Sequence, residues 1–251
     1  MTAVQNVAVV IPVHNEEEHL ERALTGVEAA VASLHRLQPE IGVRVLVVLD
    51  SCTDASAAIA AHFTARINWF SVLAVSFRSV GRSRRAGVRE ILGPEADTIP
   101  DTAPGAAAGL WLANTDADSL VPENWLVAQA AMAAAGADAV LGSVDIDPAG
   151  AVPDLLRRWH SRHLFREDHP YVYGANFGIR GSAYLAAGGF PRHRSHEDRV
   201  LAERLRRLKY NVRATDTIRV LTSGRTHARA PHGLGKYLQA LSLETSLARE
   251  S

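Results

Sequence analysis

The chain has 251 residues, 47% of them hydrophobic and 22% charged, with 27 Lys and Arg balanced by 27 Asp and Glu. That length and mix suit one large α/β domain with a sizeable buried core and exclude a chain that is mostly disordered. The neutral balance excludes a global field for nucleic acid or an anionic membrane, and a single cysteine, Cys52, excludes an intrachain disulfide and a cysteine-based metal cage.

Residues 7–13, VAVVIPV, form a β-branched run ended by His14-Asn15-Glu16, the pattern of a parallel strand buried on both faces. Basic residues do not precede this run and it is too short to span a bilayer. No later stretch reaches that length, so a cytoplasmic protein without a leader is expected. Leu20, Leu24, Val27, Val31 and Leu34 then follow at helical spacing, with Asn15 as candidate N-cap and acids in the first turn. A second strand, VRVLVVLD, ends at Asp50, and Ser51, Thr53 or Asp54 is expected to start a second helix. A third strand is expected over 69–75, and GRSRRAGVREIL reads as a loop entering a basic helix that stops at Gly93-Pro94. Residues 93–109 lack periodicity and read as a surface loop.

The strand LWLAN leads to Thr115-Asp116-Ala117-Asp118, Pro122 stands near the start of an alanine-rich helix, and AVLGSVDI supplies another strand. Beyond about residue 150 come a basic, aromatic helical stretch, a short strand ANFGIR, a small helix and the helix SHEDRVLAERLRRLKY. The strand TIRVLTS, a Gly-, His- and Arg-rich loop over 223–235 and a closing helix complete the chain. Such alternation implies a Rossmann-like, mainly parallel sheet flanked by helices.

In an open parallel sheet the ligand crevice lies at the carboxyl ends of the strands, where Glu16, Asp50 and Asp116-Ala117-Asp118 fall. Carboxylates gathered there repel one another unless a cation or hydrogen-bond donors hold them. An Asp-x-Asp pair can reach a hard divalent cation that also takes diphosphate oxygens. Asp145-Ile146-Asp147 has the same spacing, but Asp147-Pro148 favours a turn. Glu197 and Asp198 open an amphipathic helix, where acids commonly serve the dipole or the cap. A carboxylate there could also accept a proton from an attacking hydroxyl. Arg82, Arg84 and Arg85 suit a diphosphate or a solvated basic helix, and Arg225, His227, Arg229 and His232 suit anionic oxygens or a metal shell. Trp111, Trp125, Trp159, Tyr171 and Tyr173 could stack on sugar or base rings, yet aromatics at strand and helix positions more often fill cores, so none is assigned a role, and Cys52 reads as inert.

Five blocks in order resemble the family 2 glycosyltransferases of the GT-A fold: VVIPVHNEEEHL, VVLDSCTD, GRSRRAGVREIL, LANTDADSLVPENWL, and GANFGIRGSAYLAAGGFPRHRSHEDRVLAERL. The resemblance implies one GT-A domain over 1–251, with a nucleotide-sugar half at 1–150 and an acceptor half with the C-terminal helix at 151–251. It implies a donor held by Pro12, His14, Glu16 and Asp50, with Arg82 or Arg85 at the base or diphosphate. Asp116 and Ala117 would lie near ribose and metal. Asp118 would ligate Mg²⁺ or Mn²⁺, joined by His227 with His232 behind it. Asp198, beside Glu197, would be the base of an inverting member, and Gly174, Ala175 and Asn176 would line the acceptor side.

The implied partners are a nucleotide-sugar donor and a hydroxyl acceptor, with peripheral membrane contact left open, no nucleic acid expected and the oligomeric state unspecified. Without transmembrane segments or a QxxRW motif the chain does not resemble the processive polysaccharide synthases. The rival enzyme class is a sugar-phosphate nucleotidyltransferase, disfavoured because PVHNEEE stands where a Gly-rich basic loop would cradle a triphosphate. The rival outside catalysis is a nucleotide-sugar-binding protein of the same fold.

Overall fold

The computed structural model describes residues 2–93, 107–149, 151–191, 196–225 and 234–247. Its elements are β1 (Asn6–Val13), α1 (Leu20–Leu37), β2 (Gly42–Asp50), α2 (Ser56–Arg66), β3 (Phe70–Val75) and α3 (Val80–Leu92). Then come β4 (Leu110–Asn114), β5 (Ser119–Leu120), α4 (Trp125–Ala134), β6 (Ala139–Ile146) and α5 (Pro153–Arg162). A 3₁₀ turn (Gly174–Asn176), β7 (Phe177–Arg180), α6 (Gly181–Ala186), α7 (Glu197–Arg207), β8 (Val212–Thr222) and α8 (Leu234–Leu247) follow.

The strands form one sheet in the order β3-β2-β1-β4-β7-β6-β8-β5. Strands β1 to β4 are parallel, β7 runs antiparallel to β4 and β6, β8 is parallel to β6, and β5 returns against β8. The carboxyl ends of β1, β2, β4, β6 and β8 therefore share one edge with the start of β7. That reversal brings residues preceding β7, rather than following it, to the crevice.

Period-two alternation splits the apolar strands between two cores. Val7, Val9, Ile11, Val45 and Val47 pack beneath α1, α2 and α4, while Ala8, Val10, Leu46, Val48 and Leu112 pack beneath α3, α6 and α7. Gly87 lets α3 close on the second face, because a Cβ there would stand 2.7 Å from Val10 Cγ1 and 2.9 Å from Val48 Cγ2. A smaller cluster of Ile146, Leu155, Trp159, Leu238 and Leu241 joins α5 to α8.

Several local expectations change. Asn15 does not cap α1, which begins five residues later at Leu20. Asn15 is left-handed (φ 54°), and its Oδ1 accepts the Thr53 amide at 2.8 Å. Asp54, one of the three expected starters of α2, accepts the Ser56 amide at 3.0 Å and the Glu17 amide at 2.9 Å, tying the turn after β1 to the next helix. GRSRRAGV is helical from Val80 and not a loop. ANFGIR divides into the 3₁₀ turn and β7. Most of the expected loop over 93–109 lies outside the described residues. Among the described residues no helix is long and apolar enough to cross a membrane.

Candidate functional site

The carboxyl edge opens into a crevice of about 1720 Å³. Two arginines organise its acids. Arg84, on α3 and only 2% exposed, bonds Asp116 with Nη2 and Glu197 with Nη1. Arg225, just beyond β8, grips Glu16 with both terminal nitrogens at 2.6 Å and meets Asp118 at 2.8 Å. Each guanidinium fork thus bridges carboxylates delivered by distant strands and helices.

Space for Arg84 comes from Gly174, where a Cβ would lie 2.3 Å from Nη1. Glu197 and Asp198 open α7 after His196, which is left-handed at φ 61°. The N-cap residue is His196, and both acids stand in the first turn, where Asp198 Oδ1 accepts the Arg199 amide at 2.7 Å. Glu197 turns inward to Arg84, and Asp198 Oδ2 accepts the Gly174 amide at 2.7 Å.

Electrostatics distinguish these acids. Burial drives the Asp118 carboxyl up from 3.8 to about 6, with Asp116 and Glu16 adding repulsion and Arg225 pulling the other way. Glu197 is also raised by burial, against the pull of Arg84. Arg84 itself stays cationic, because Asp116 and Glu197 outweigh the penalty that burial places on its charge.

Asp50 lines the crevice as well, with its carboxylate fully engaged. Its Oδ1 accepts the Phe77 and Arg78 amides at 2.7 and 2.8 Å and the Ser51 hydroxyl at 3.1 Å. Its Oδ2 accepts the Ser79 amide at 2.9 Å and the Ser83 hydroxyl at 2.8 Å. Five donors fill the acceptor capacity of a carboxylate, so Asp50 shapes the loop between β3 and α3 while lining the crevice. Burial pushes its carboxyl up, yet the Ser79, Arg78, Ser83 and Phe77 bonds hold it below its ordinary value. Asp50→Asn would set an amide NH₂ against donors and should lower stability by about 2 kcal/mol at neutral pH. The loss should shrink as acid protonates the wild-type carboxylate, because a depressed pKa stabilises only above its folded value. Urea unfolding at pH 7 and pH 3 checks both.

The other expected residues divide clearly. Pro12, His14, Glu16, Arg82, Asp116, Ala117, Asp118, Gly174, Ala175, Glu197 and Asp198 all line the crevice. The His14 Nδ1 stands 2.6 Å from the Asp50 carbonyl, which can only accept, so Nδ1 carries the proton. Arg82 lies over the Phe77 ring, 4.4 Å from its centroid. Arg85 points away and donates to the Gly188 and Phe190 carbonyls at 3.0 Å, so it is not a diphosphate ligand here. Asn176 is fully buried, with Nδ2 on the Ser143 and Ile218 carbonyls and Oδ1 taking the Trp125 indole N–H at 2.9 Å. It locks β6, β7 and β8 beneath the site and has no face for an acceptor. His227 and His232 lie outside the described residues. The second triplet is structural: Asp147 pairs with Arg22 and accepts the Ala149 amide at 2.9 Å, and Asp145 meets His160 at 3.0 Å.

Sequence reasoning had Arg84 only as one of three interchangeable arginines. Its burial among Glu197 and Asp116 could have been sought in the helical phase that sets Arg84 with buried Gly87 and Val88 toward the sheet.

Asp116 and Asp118 offer hard oxygens, and a nearly buried Asp118 resisting ionisation is a group that a cation would hold charged. Among the described residues no three metal-ligating side chains form a cage. Two carboxylates with the remaining positions left to diphosphate oxygens fit Mg²⁺ or Mn²⁺ bound with its substrate.

A family model described as glycosyl transferase family 2 matches residues 8–200. No curated protein matches the chain significantly by sequence. Among solved structures, the S. aureus TarS 1-349 structure is 14% identical with a TM-score of 0.58, over 88% of this chain and 61% of that one. Mannosyltransferase PcManGT from Pyrobaculum calidifontis, in complex with GDP-Man and Mn²⁺, is 16% identical with a TM-score of 0.62, over 89% of this chain and 58% of that one. GalNAc-T7 with UDP, GalNAc and Mn²⁺ is 12% identical with a TM-score of 0.62, over 88% of this chain and 44% of that one. The chain thus spans less than two thirds of each of these proteins, and the shared architecture is the GT-A fold.

Proposed function

The chain belongs to glycosyl transferase family 2, whose model spans residues 8–200, and from that premise we propose that it moves a sugar from a nucleoside-diphosphate donor to an acceptor hydroxyl. The observation that carries this reading is the convergence of Glu16, Asp116, Asp118 and Glu197 on two bridging arginines at the carboxyl edge of the sheet, with Asp198 lining the same crevice. Residues 1–150 form the donor half of one domain in this reading, and residues 151–251 the acceptor half.

Asp116 and Asp118 would hold Mg²⁺ or Mn²⁺ together with the diphosphate. The cation supplies charge neutralisation of the departing nucleoside diphosphate. Arg84 fixes the Asp116 carboxylate from below, and Arg225 keeps Asp118 and Glu16 from repelling each other. The loop held by Asp50 presents Phe77, Arg78 and Ser79 to the nucleotide. Asp198 is the only one of the pair opening α7 with a half-open carboxylate, since Glu197 is 4% exposed beneath Arg84. As the acceptor oxygen bonds to the anomeric carbon, the carbon–oxygen bond to the diphosphate breaks and the hydroxyl proton passes to Asp198.

The bound ligands of PcManGT and GalNAc-T7 support GDP- and UDP-sugars with Mn²⁺ as the first donors to try. A thermal-shift screen of UDP-, GDP- and ADP-sugars should raise the melting temperature for one nucleotide only with Mn²⁺ or Mg²⁺ present. Absence of any shift and of any metal-supported donor hydrolysis sinks the reading. Asp198→Asn should lower transfer roughly a hundredfold or more while leaving donor binding unchanged. Equal loss of both would make Asp198 a structural residue.

A further inference from the structure

The acceptor half carries a wall of rings that the transfer chemistry does not use. Trp159 on α5 and His163, the residue just past its end, stack with centroids 3.5 Å apart and planes at 17°. Tyr171 lies 5.1 Å from His163, Tyr237 of α8 lies 5.8 Å from it, and Tyr173 lies 6.1 Å from Tyr171. All five rings line the crevice. Three of them, His163, Tyr171 and Tyr173, are half-buried, and Tyr237 is 40% exposed.

Two features say what the wall would bind. Every ring on it carries a polar atom, unlike the bare hydrocarbon that would suit a lipid chain. Among the described residues the buried Trp159 Nε1 donor, at the back of the crevice wall, meets no hydrogen-bond partner. A ligand suited to both presents an apolar flat face and a rim of hydroxyl acceptors, which is the surface of a pyranose ring. Position adds the third argument. Tyr173 runs directly into Gly174, whose amide holds Asp198 Oδ2 at 2.7 Å. A ring resting on Tyr173 thus has its hydroxyls beside that carboxylate.

We propose, resting on the transferase reading above, that the Trp159, His163, Tyr171, Tyr173 and Tyr237 wall is a carbohydrate subsite and that the acceptor is itself a sugar. Burial holds the His163 imidazole below its ordinary pKa, so the wall is uncharged at neutral pH and matches a neutral ring.

Saturation-transfer NMR with methyl glucoside, mannoside, galactoside and N-acetylglucosaminide tests this, with glycerol and phenol as controls. At least one glycoside should receive saturation at its ring C–H protons. The signal should vanish in Tyr237→Ala and weaken several-fold in Trp159→Phe, which keeps the ring and removes the N–H, with melting temperatures within a few degrees of wild type. No glycoside signal, an unchanged signal in Tyr237→Ala, or binding of phenol alone overturns the subsite. The nucleotide-sugar thermal shift on the same samples separates the two claims. A donor shift without glycoside binding removes the subsite and leaves the transferase reading. Glycoside binding without any donor shift removes the acceptor assignment together with that reading.

Discussion

Asp118→Asn is expected to stabilise the ligand-free protein while removing its metal-supported turnover. Burial, with help from Asp116 and Glu16, raises the Asp118 carboxyl from 3.8 to about 6 despite the Arg225 contact. A carboxyl raised in the folded state carries no penalty below its unfolded value and costs stability as pH rises through its folded one. The wild type therefore loses stability between about pH 4 and pH 6 and stays at that lower level above, by about 3 kcal/mol for a shift of this size. Asparagine keeps the shape and carries no charge to desolvate, and Arg225 retains its two 2.6 Å bonds to Glu16. The stability difference should be near zero at pH 3.5 and reach about 2–3 kcal/mol at pH 8, read by urea unfolding without metal. Donor hydrolysis with Mn²⁺ should fall to background, since one of the two hard anionic ligands is gone. A variant less stable than wild type at pH 8 would mean that the Arg225 ion pair outweighs burial. A variant with full metal response would mean that the cation lies elsewhere.

Arg84→Met should be among the most damaging single changes in the chain, at about 3–5 kcal/mol. The guanidinium is 2% exposed and is the shared counter-charge of Asp116 and Glu197. Methionine fills much of the volume but leaves the Glu197 carboxylate, 4% exposed, without its cation. Burial already raises Glu197, so losing Arg84 should raise it further and make the variant relatively less unstable in acid. Adding Glu197→Gln to Arg84→Met should recover a large part of the loss by removing the stranded charge. Chemical denaturation of the single and double variants at pH 5 and pH 8 reads both effects. Additive losses, with no recovery, would show that Arg84 acts through packing alone.

The elements most legible beforehand were those whose pattern is local. The runs VAVVIPV and VRVLVVLD announce strands buried on both faces, and both are central in the sheet as β1 and β2. The helical spacing from Leu20 to Leu34 marks the buried stripe of α1. Turn chemistry was legible at Asp147-Pro148, where Asp147 accepts the Ala149 amide. Less legible were side chains with several adequate partners. Asp50 stands after a strand and lines the crevice as a nucleotide ligand would, but nothing local announces that its carboxylate holds the amides of residues 77–79. Asn176 sits in a block expected to face the acceptor, and the rotation of the 3₁₀ turn sends it under the sheet instead.

The amino-acid order by itself determined the layered α/β architecture and the edge of the sheet where the acids collect, because hydrophobic period and strand direction are properties of short segments. The tertiary structure alone decided which arginine meets which acid. Arg84 and Glu197 are 113 residues apart, and Arg225 and Glu16 are 209 apart, so no local pattern could pair them. It also decided that Arg85 faces away, since two neighbours on one helix point about 100° apart and only the packing of α3 on the sheet selects the inward one.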